Sequence, residues 1–413
     1  FYHFLTRLSP VFLIFYKLLA CYASHMLKTI SSLDFEGQKV LLRLDLNAPI
    51  SNGQIQDDTR LQAALPTIKF LSENGAKVLI LTHLGRPKGE IVESLRVDII
   101  ASALSKLLSK DVNKLDDCVD EVVKKQIDEM DFGDIVLLEN TRFHPEEKLN
   151  DPEFSKELAS LADIFVNDAF GVVHRSHAST LGVTEHLPSY AGFLLEKEIE
   201  VLSDILKAPQ TPVCLIMGGA KIDTKIGVLE KFLDKADSFL IGGALANTFI
   251  AAKGFEVGTS LFQEDKVDVA KDFMSKCEAT FIPVDFVVSE EISKDAVARN
   301  LLQNEATSND KILDIGPKTI DVFLEKIASA KTIIWNGPMG LYEFDQFAKG
   351  TLAIAQAVAD SDAISVVGGG DSIDAIKNFN IPLDAFTHVS TGGGAMLEFL
   401  EGKPLPALQA LMS

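Results

Sequence analysis

The chain has 413 residues, 47% of them hydrophobic and 24% charged, enough for two or three packed domains. Its formal net charge of −20 argues against nonspecific nucleic-acid binding, and an anionic ligand would need a local basic patch. The four cysteines, Cys21, Cys118, Cys214 and Cys277, are dispersed with no CxxC pair, which argues against a disulfide framework or a zinc site and fits a reducing compartment.

Residues 1–25 contain no acid, and Val11 to Ala23 are apolar apart from Lys17. The stretch reads as upstream sequence ahead of a start at Met26. A signal or transit segment is the alternative, and the run is short and interrupted for a membrane span.

From Lys39 onward, short apolar runs alternate with amphipathic stretches. The runs are Val40–Leu46, Val78–Thr82, Ile135–Leu138, Ile164–Val166, Val213–Met217, Phe239–Ile241, Phe281–Val284, Thr332–Trp335, Ile364–Val367 and Phe386–Val389. Between them Thr59–Asn74, Pro152–Leu161, Phe193–Leu206 and Lys225–Phe232 read as helices. This alternation predicts parallel sheets covered on both faces, and ten strands are too many for one comfortable sheet. The expected fold class is therefore α/β, with two doubly wound parallel-sheet domains. A helix near Tyr190–Lys207 would link them.

Ligands of such sheets bind beyond the carboxyl ends of the strands. The early strand ends carry polar and cationic groups: Asp45 and Asn47, then His83 and Arg86, then Arg142, then Arg175 beside His174 and His177. Arg60 follows Asp57-Asp58-Thr59 at a helix start capped by Asp or Thr. Each cation alone reads as a surface charge. Four arginines at comparable edge positions in an acidic chain point to a phosphate or carboxylate ligand. His174 and His177 have metal-ligand spacing, but no third ligand flanks them. His144, His186 and His388 carry no functional pattern.

The later strand ends are glycine-rich: Gly218-Gly219, Gly242-Gly243, Asn336-Gly337-Pro338, Gly368-Gly369-Gly370-Asp371-Ser372 and Gly392-Gly393-Gly394. Backbone N–H groups and helix N-termini at such turns suit a nucleotide. Lys221 and Lys225 share one face if Lys221 opens a helix. Asp371 suits Mg²⁺ on a nucleotide, or a simple N-cap. Glu343 suits a ribose hydroxyl or is a solvated acid. Neither GxGxxG nor GxxxxGK[ST] occurs, which excludes the usual dinucleotide and Walker patterns.

Jointly these segments resemble the phosphoglycerate kinase family. Arg43-Leu44-Asp45-Leu46-Asn47-Ala48-Pro49 resembles its RxDxNxP segment. His83-Leu84-Gly85-Arg86-Pro87 resembles its SHLGRP segment, with Thr82 for Ser. Leu138-Glu139-Asn140-Thr141-Arg142-Phe143 resembles LEN-x-RF. Gly218–Lys225, Trp335–Gly340, Gly368–Ser372 and His388–Ala395 match as well, so the resemblance runs from about Val40 to Lys403.

The resemblance implies a substrate domain over 26–190 with 396–413, a hinge helix over 191–206 and a nucleotide domain over 207–395. It implies reversible phosphoryl transfer from 1,3-bisphosphoglycerate to ADP, in line and with domain closure, by a cytoplasmic, monomeric glycolytic enzyme using Mg²⁺. The 3-phosphoglycerate site would fall on Asp45, Asn47, Arg60, His83, Arg86, Arg142 and Arg175. The nucleotide site would fall on Gly219, Ala220, Lys225, Gly242, Leu261, Asn336, Pro338, Glu343, Gly369, Gly370, Asp371 and Ser372. Lys221 and Arg60 would carry the catalytic charge, helix N-termini at Gly393 and Gly394 would help, and Asp371 would hold the metal. The alternatives are a noncatalytic nucleotide- or anion-binding protein on the same fold, and a dehydrogenase, which the missing GxGxxG argues against.

Overall fold

The computed structural model describes residues 27–412. The extension over 1–25 and the expected start at Met26 lie outside them. The chain divides into two compact units. One runs to Ser203 and takes back the chain from Pro404, and the other is Asp204–Lys403. The helix Phe193–Lys207 runs through the first division.

The first unit is built on a six-stranded sheet. In spatial order its strands are Val112–Lys114, Ile135–Leu137, Lys77–Leu81, Lys39–Arg43, Ile164–Asn167 and Ser189–Ala191. Every pairing is parallel. Strand geometry alternates side chains between faces, and both faces are apolar here. Val40, Leu42, Val78, Ile80 and Leu137 pack in one core, whereas Leu41, Leu79, Leu81, Val136 and Phe165 pack in the other.

The second unit repeats the plan. Its parallel sheet is ordered Thr280–Phe281, Ser238–Ile241, Val213–Met217, Thr332–Asn336, Ile364–Gly368 and His388–Ser390. Numbered along the chain, that order is 3-2-1-4-5-6, the doubly wound dinucleotide order. The topological switch point therefore lies between Val213–Met217 and Thr332–Asn336. Trp335 is fully buried in this core, and its Nε1–H donates to the Gly337 carbonyl at 2.8 Å.

Several expectations need correction. The expected strand Phe281–Val284 ends at Phe281. Pro283 has no N–H to continue a ladder. The chain instead starts Asp285–Ser289, the middle strand of an antiparallel three-stranded sheet with Arg299–Leu302 and Lys311–Ile315. That sheet was not anticipated. Nor were Val112–Lys114 and Ser189–Ala191, each too short to give a run. The expected helix Lys225–Phe232 is Ile226–Lys231, so Lys221 and Lys225 precede it and share no helical face. Lys221 is exposed and Lys225 is buried. At the Arg60 helix, Thr59–Glu73, the capping position is Asp58, but its side chain makes no cap bond. Asp57 serves instead, accepting from Thr59 N at 2.9 Å and Thr59 Oγ1 at 2.6 Å.

Candidate active site

The carboxyl ends of the first sheet's strands surround a cleft of about 670 Å³. All seven residues expected at the acidic substrate line it: Asp45, Asn47, Arg60, His83, Arg86, Arg142 and Arg175. Backbone contacts tie the strand ends together. Asn47 Oδ1 accepts from Gly85 N at 2.8 Å, and Arg60 Nη1 donates to the Asn47 carbonyl at 2.7 Å. Arg60 also lies 3.6 Å from Asp45. Arg142 Nη1 donates to the Gly85 carbonyl at 2.9 Å. Thr82, which replaces the family's Ser, keeps the hydroxyl at work: Oγ1 accepts from Leu46 N at 3.1 Å.

The Glu-Asn pair before Arg142 is structural. Asn140 is fully buried and clamps Leu84, accepting from its N–H at 3.2 Å and donating to its carbonyl at 2.8 Å. Glu139 meets Arg96 and Lys114, each at 2.9 Å. The loop carrying Arg142 is thus held to the loop carrying Arg86 by buried polar bonds, which preorganises the cations.

Beneath the cleft lies Arg43, buried and bonded to Ser179 Oγ at 2.9 Å, to the Leu44 carbonyl and to His83 Nδ1 at 3.2 Å. Ser179 Oγ in turn donates to fully buried Glu147 at 2.7 Å. Burial, then the Arg43, Arg142 and Arg60 charges, push the His83 pKa well below its usual value. His83 is therefore neutral, with Nδ1 accepting and Nε2–H left to donate. Burial and the Arg43 guanidinium bring Arg142 down to about 10, still charged at pH 7.

In the second unit a cavity of about 400 Å³ opens beside the switch point. Gly219, Ala220, Leu261, Pro338, Glu343 and Asp371 line it, as expected. Gly218 N donates to the Asn336 carbonyl and Gly219 N to the Pro338 carbonyl, both at 2.9 Å. A Cβ on Gly218 would come 2.1 Å from the Pro338 carbonyl oxygen, so the two loops approach this closely only with glycine there. At Gly370, Gly393 and Gly394 a Cβ would meet nothing within 4 Å. Packing does not require glycine at those three, and their backbone faces open space that a ligand can occupy.

Not every expected nucleotide residue lines the cavity. Asn336 and Ser372 brace its loops: Asn336 Nδ2 donates to the Gly368 carbonyl at 2.9 Å, and Ser372 Oγ accepts from Gly337 N at 2.7 Å. Gly242 and Gly369 lie in the same turns outside the lining, Gly242 against Met339. Burial lowers the Lys225 pKa while the Asp371 carboxylate opposes that shift.

Sequence reasoning missed Lys148 in the first cleft and Asn247 and Leu313 in the second. All three lie away from the glycine- and arginine-bearing strand ends, where no motif marks them. His177 lines the first cleft, with Nδ1 3.7 Å from Glu147, and among the described residues it belongs to no group of three metal-type side chains. Among the described residues the one group with metal-ligand spacing is Asp117, Cys118 and His144. Within it His144 bonds Asp117 at 2.7 Å, and the Cys118 thiol donates to the Glu139 carbonyl at 3.0 Å.

A side-chain cation cleft on one doubly wound unit and a glycine-edged switch-point cavity on the other define an α/β phosphotransferase. The family model described as phosphoglycerate kinase matches residues 30–403. The chain belongs to the phosphoglycerate kinase family and is a kinase.

It is 51% identical over 383 residues to the phosphoglycerate kinase of Dictyoglomus turgidum, covering 92% of this chain and 96% of that one. It is 48% identical over 393 residues to that of Trichodesmium erythraeum, covering 93% and 98%. Among solved structures, phosphoglycerate kinase from Coxiella burnetii superposes with a TM-score of 0.81 at 42% identity, covering 93% of this chain and 98% of that one. The enzyme from Pyrococcus horikoshii OT3 gives 0.84 at 37%, with the same coverage. The expected activity, phosphoryl transfer between 1,3-bisphosphoglycerate and ADP in glycolysis, is the activity of this family. Nothing found favours the noncatalytic alternative.

Proposed function

We propose that the first unit's basic cleft holds the three-carbon acid and the second unit's switch-point cavity holds ADP or ATP, with Lys221 and Arg60 acting on the transferring phosphoryl group. The observation that carries this reading is that all seven expected acid-binding residues line one cleft. A triose carrying a carboxylate and a phosphate matches the cations present. Arg142, Arg175, Arg86 and the Nε2–H of His83 anchor the 3-phosphate, and Asp45 takes a hydroxyl.

In the ATP-consuming direction the attacking group is a carboxylate, ionised at pH 7, so no general base is required. The task is to position two polyanions and offset the charge on the transferring group. Lys221 is exposed next to the Gly218-Gly219 turn, and Arg60 is half-buried with its guanidinium at the cleft. Arg60 keeps one Nη1 bond to the Asn47 carbonyl, and its remaining guanidinium donors and the Lys221 ammonium are the groups assigned to the equatorial oxygens. The open backbone at Gly370, Gly393 and Gly394 adds N–H donors from two helix N-termini, Gly370–Asn378 and Gly394–Glu401.

Asp371 fits Mg²⁺: it is an exposed carboxylate on the nucleotide cavity, the hard oxygen donor that ion takes beside phosphates. When bound there, the ion supplies neutralisation of nucleotide phosphate charge. The helix Phe193–Lys207 is the proposed hinge. A monomer working in the cytoplasm is consistent with the free, buried thiols of Cys118, Cys214 and Cys277. Among the described residues no helix is long and apolar enough to cross a membrane.

The test is a coupled assay of the full chain with 3-phosphoglycerate, ATP and Mg²⁺. Turnover that requires all three, and that is lost in Lys221→Ala and in Arg60→Ala, is the expected result. Unchanged turnover in both variants would overturn the assignment of the catalytic charge.

A further inference from the structure

One cation of the first cleft belongs to no motif. Lys148 lies on the short helix Pro145–Leu149 and lines the cleft with Arg175 and His177. The backbone beneath it is fixed. Its neighbour Glu147 is fully buried, accepting from Ser179 N at 2.9 Å and Ser179 Oγ at 2.7 Å, and the Glu147 carbonyl accepts from Ala178 N at 2.9 Å. Asn150, in the left-handed conformation, ends the helix immediately after Leu149. With Glu147 pinned inward, the exposed Lys148 is carried on an anchored turn at the cleft wall. Its charge is felt inside, because it is one of the cations that lower the His177 pKa.

Among the described residues Lys148 makes no ion pair. On the cleft wall beside Arg175 and His177 it adds a cation that an anionic ligand can meet. A flexible stem with three rotatable donors suits a phosphate that approaches from more than one angle.

We propose that Lys148 is a further substrate-binding residue, meeting the phosphate of the three-carbon acid from the cleft wall it shares with Arg175 and His177. The proposal rests on the reading of this cleft as the 3-phosphoglycerate site. Lys148 binds substrate and transition state alike, since the phosphate it meets does not react. Its loss therefore changes KM and not kcat.

The experiment is steady-state kinetics of Lys148→Ala, Lys148→Arg and Lys148→Glu, with Arg142→Ala in the same assay. Lys148→Ala should raise KM for 3-phosphoglycerate about three- to tenfold, the size expected of one partly solvated charge pair. KM for ATP and kcat should stay within about twofold, as for uniform binding. Lys148→Arg should restore KM, and Lys148→Glu should raise it further. The Lys148→Ala effect should shrink as ionic strength rises. An unchanged KM for 3-phosphoglycerate in Lys148→Ala, beside a raised one in Arg142→Ala, would overturn the role of Lys148 alone. Unchanged values in both would overturn the cleft assignment with it. A raised KM for both substrates with a lowered melting temperature would also overturn it, by marking Lys148 as structural.

Discussion

The Arg43 guanidinium donates to His83 Nδ1 across 3.2 Å, with both side chains buried beneath the substrate cleft. This bond fixes the tautomer, because a ring nitrogen that accepts from arginine carries no proton. It also gives the proposed anchoring role of an uncharged His83 a physical form: the arginines supply the field and the imidazole supplies a directed N–H.

A pH effect follows. Burial and three guanidinium charges keep the folded His83 pKa well below 6.5, and burial holds His174 and His177 at about 4. Below pH 6.5 the unfolded chain takes up protons that the folded chain refuses, so stability falls as pH drops. Asp168, Asp314 and His144 are shifted upward and oppose this change, so the measurement is the difference in melting temperature between pH 7 and pH 5 in parent and variant. His83→Asn, which keeps an acceptor for Arg43, should lose less over that interval. Parallel pH slopes for the two proteins would refute this account of His83.

The charge of Arg43 is compensated within a buried network running through Ser179 to Glu147. Arg43→Met leaves Ser179 Oγ and His83 Nδ1 without their buried donor and weakens the field at Glu147, and each buried polar group left unpaired costs about 1–3 kcal/mol. The urea midpoint of the variant should fall well below that of the parent. A midpoint within the error of the parent's would show that the network contributes little.

Lys221→Ala should lower kcat by about 10²–10³, as loss of one preorganised charge-stabilising donor does. Calorimetric affinity for ADP should change little, since the charge acts mainly in the transition state. Near-normal turnover would remove Lys221 from its proposed place.

Arg142→Ala should weaken 3-phosphoglycerate binding by about 2–4 kcal/mol, the range for truncating one member of a desolvated charge pair. Nucleotide binding should be untouched. A substrate titration superimposable on the parent's would count against the anchoring role.

Gly218→Ala tests the second site by sterics alone. Its methyl group would sit 2.1 Å from the Pro338 carbonyl oxygen and 2.6 Å from that of Gly337. The loops must part, so ADP affinity should fall while 3-phosphoglycerate affinity in the first unit holds. Equal loss of both, or of neither, would contradict the placement.

Much of the fold was legible along the chain. Strands buried on both faces make unbroken apolar runs, so Val213–Met217 and Val78–Leu81 announced themselves. The three-residue edge strands Val112–Lys114 and Ser189–Ala191 did not, because their ladders are completed by a neighbour and not by their own pattern. The antiparallel sheet was hidden for a related reason. Arg299–Leu302 is largely exposed and reads as polar chain until Asp285–Ser289 pairs with it.

The site divides in the same way. Which residues are proposed to carry the chemistry was readable in the sequence: four arginines and a histidine at strand ends, glycines at the later ones, and Lys221 after Gly218-Gly219. Those types at those places need no partner to be recognised, because charge and backbone freedom are local properties. What each residue touches was decided only in three dimensions. Lys221 and Lys225 look equivalent four residues apart, yet one is exposed and the other buried. Asn336 and Ser372 sit in glycine-rich turns, and only the fold shows that their side chains also brace the neighbouring backbone loops. Lys148 belongs to no motif and still lines the cleft, because Glu147 is buried against Ser179, far along the chain. Burial and hydrogen-bond partnership are properties of pairs brought together by packing, and one strand of sequence does not contain them.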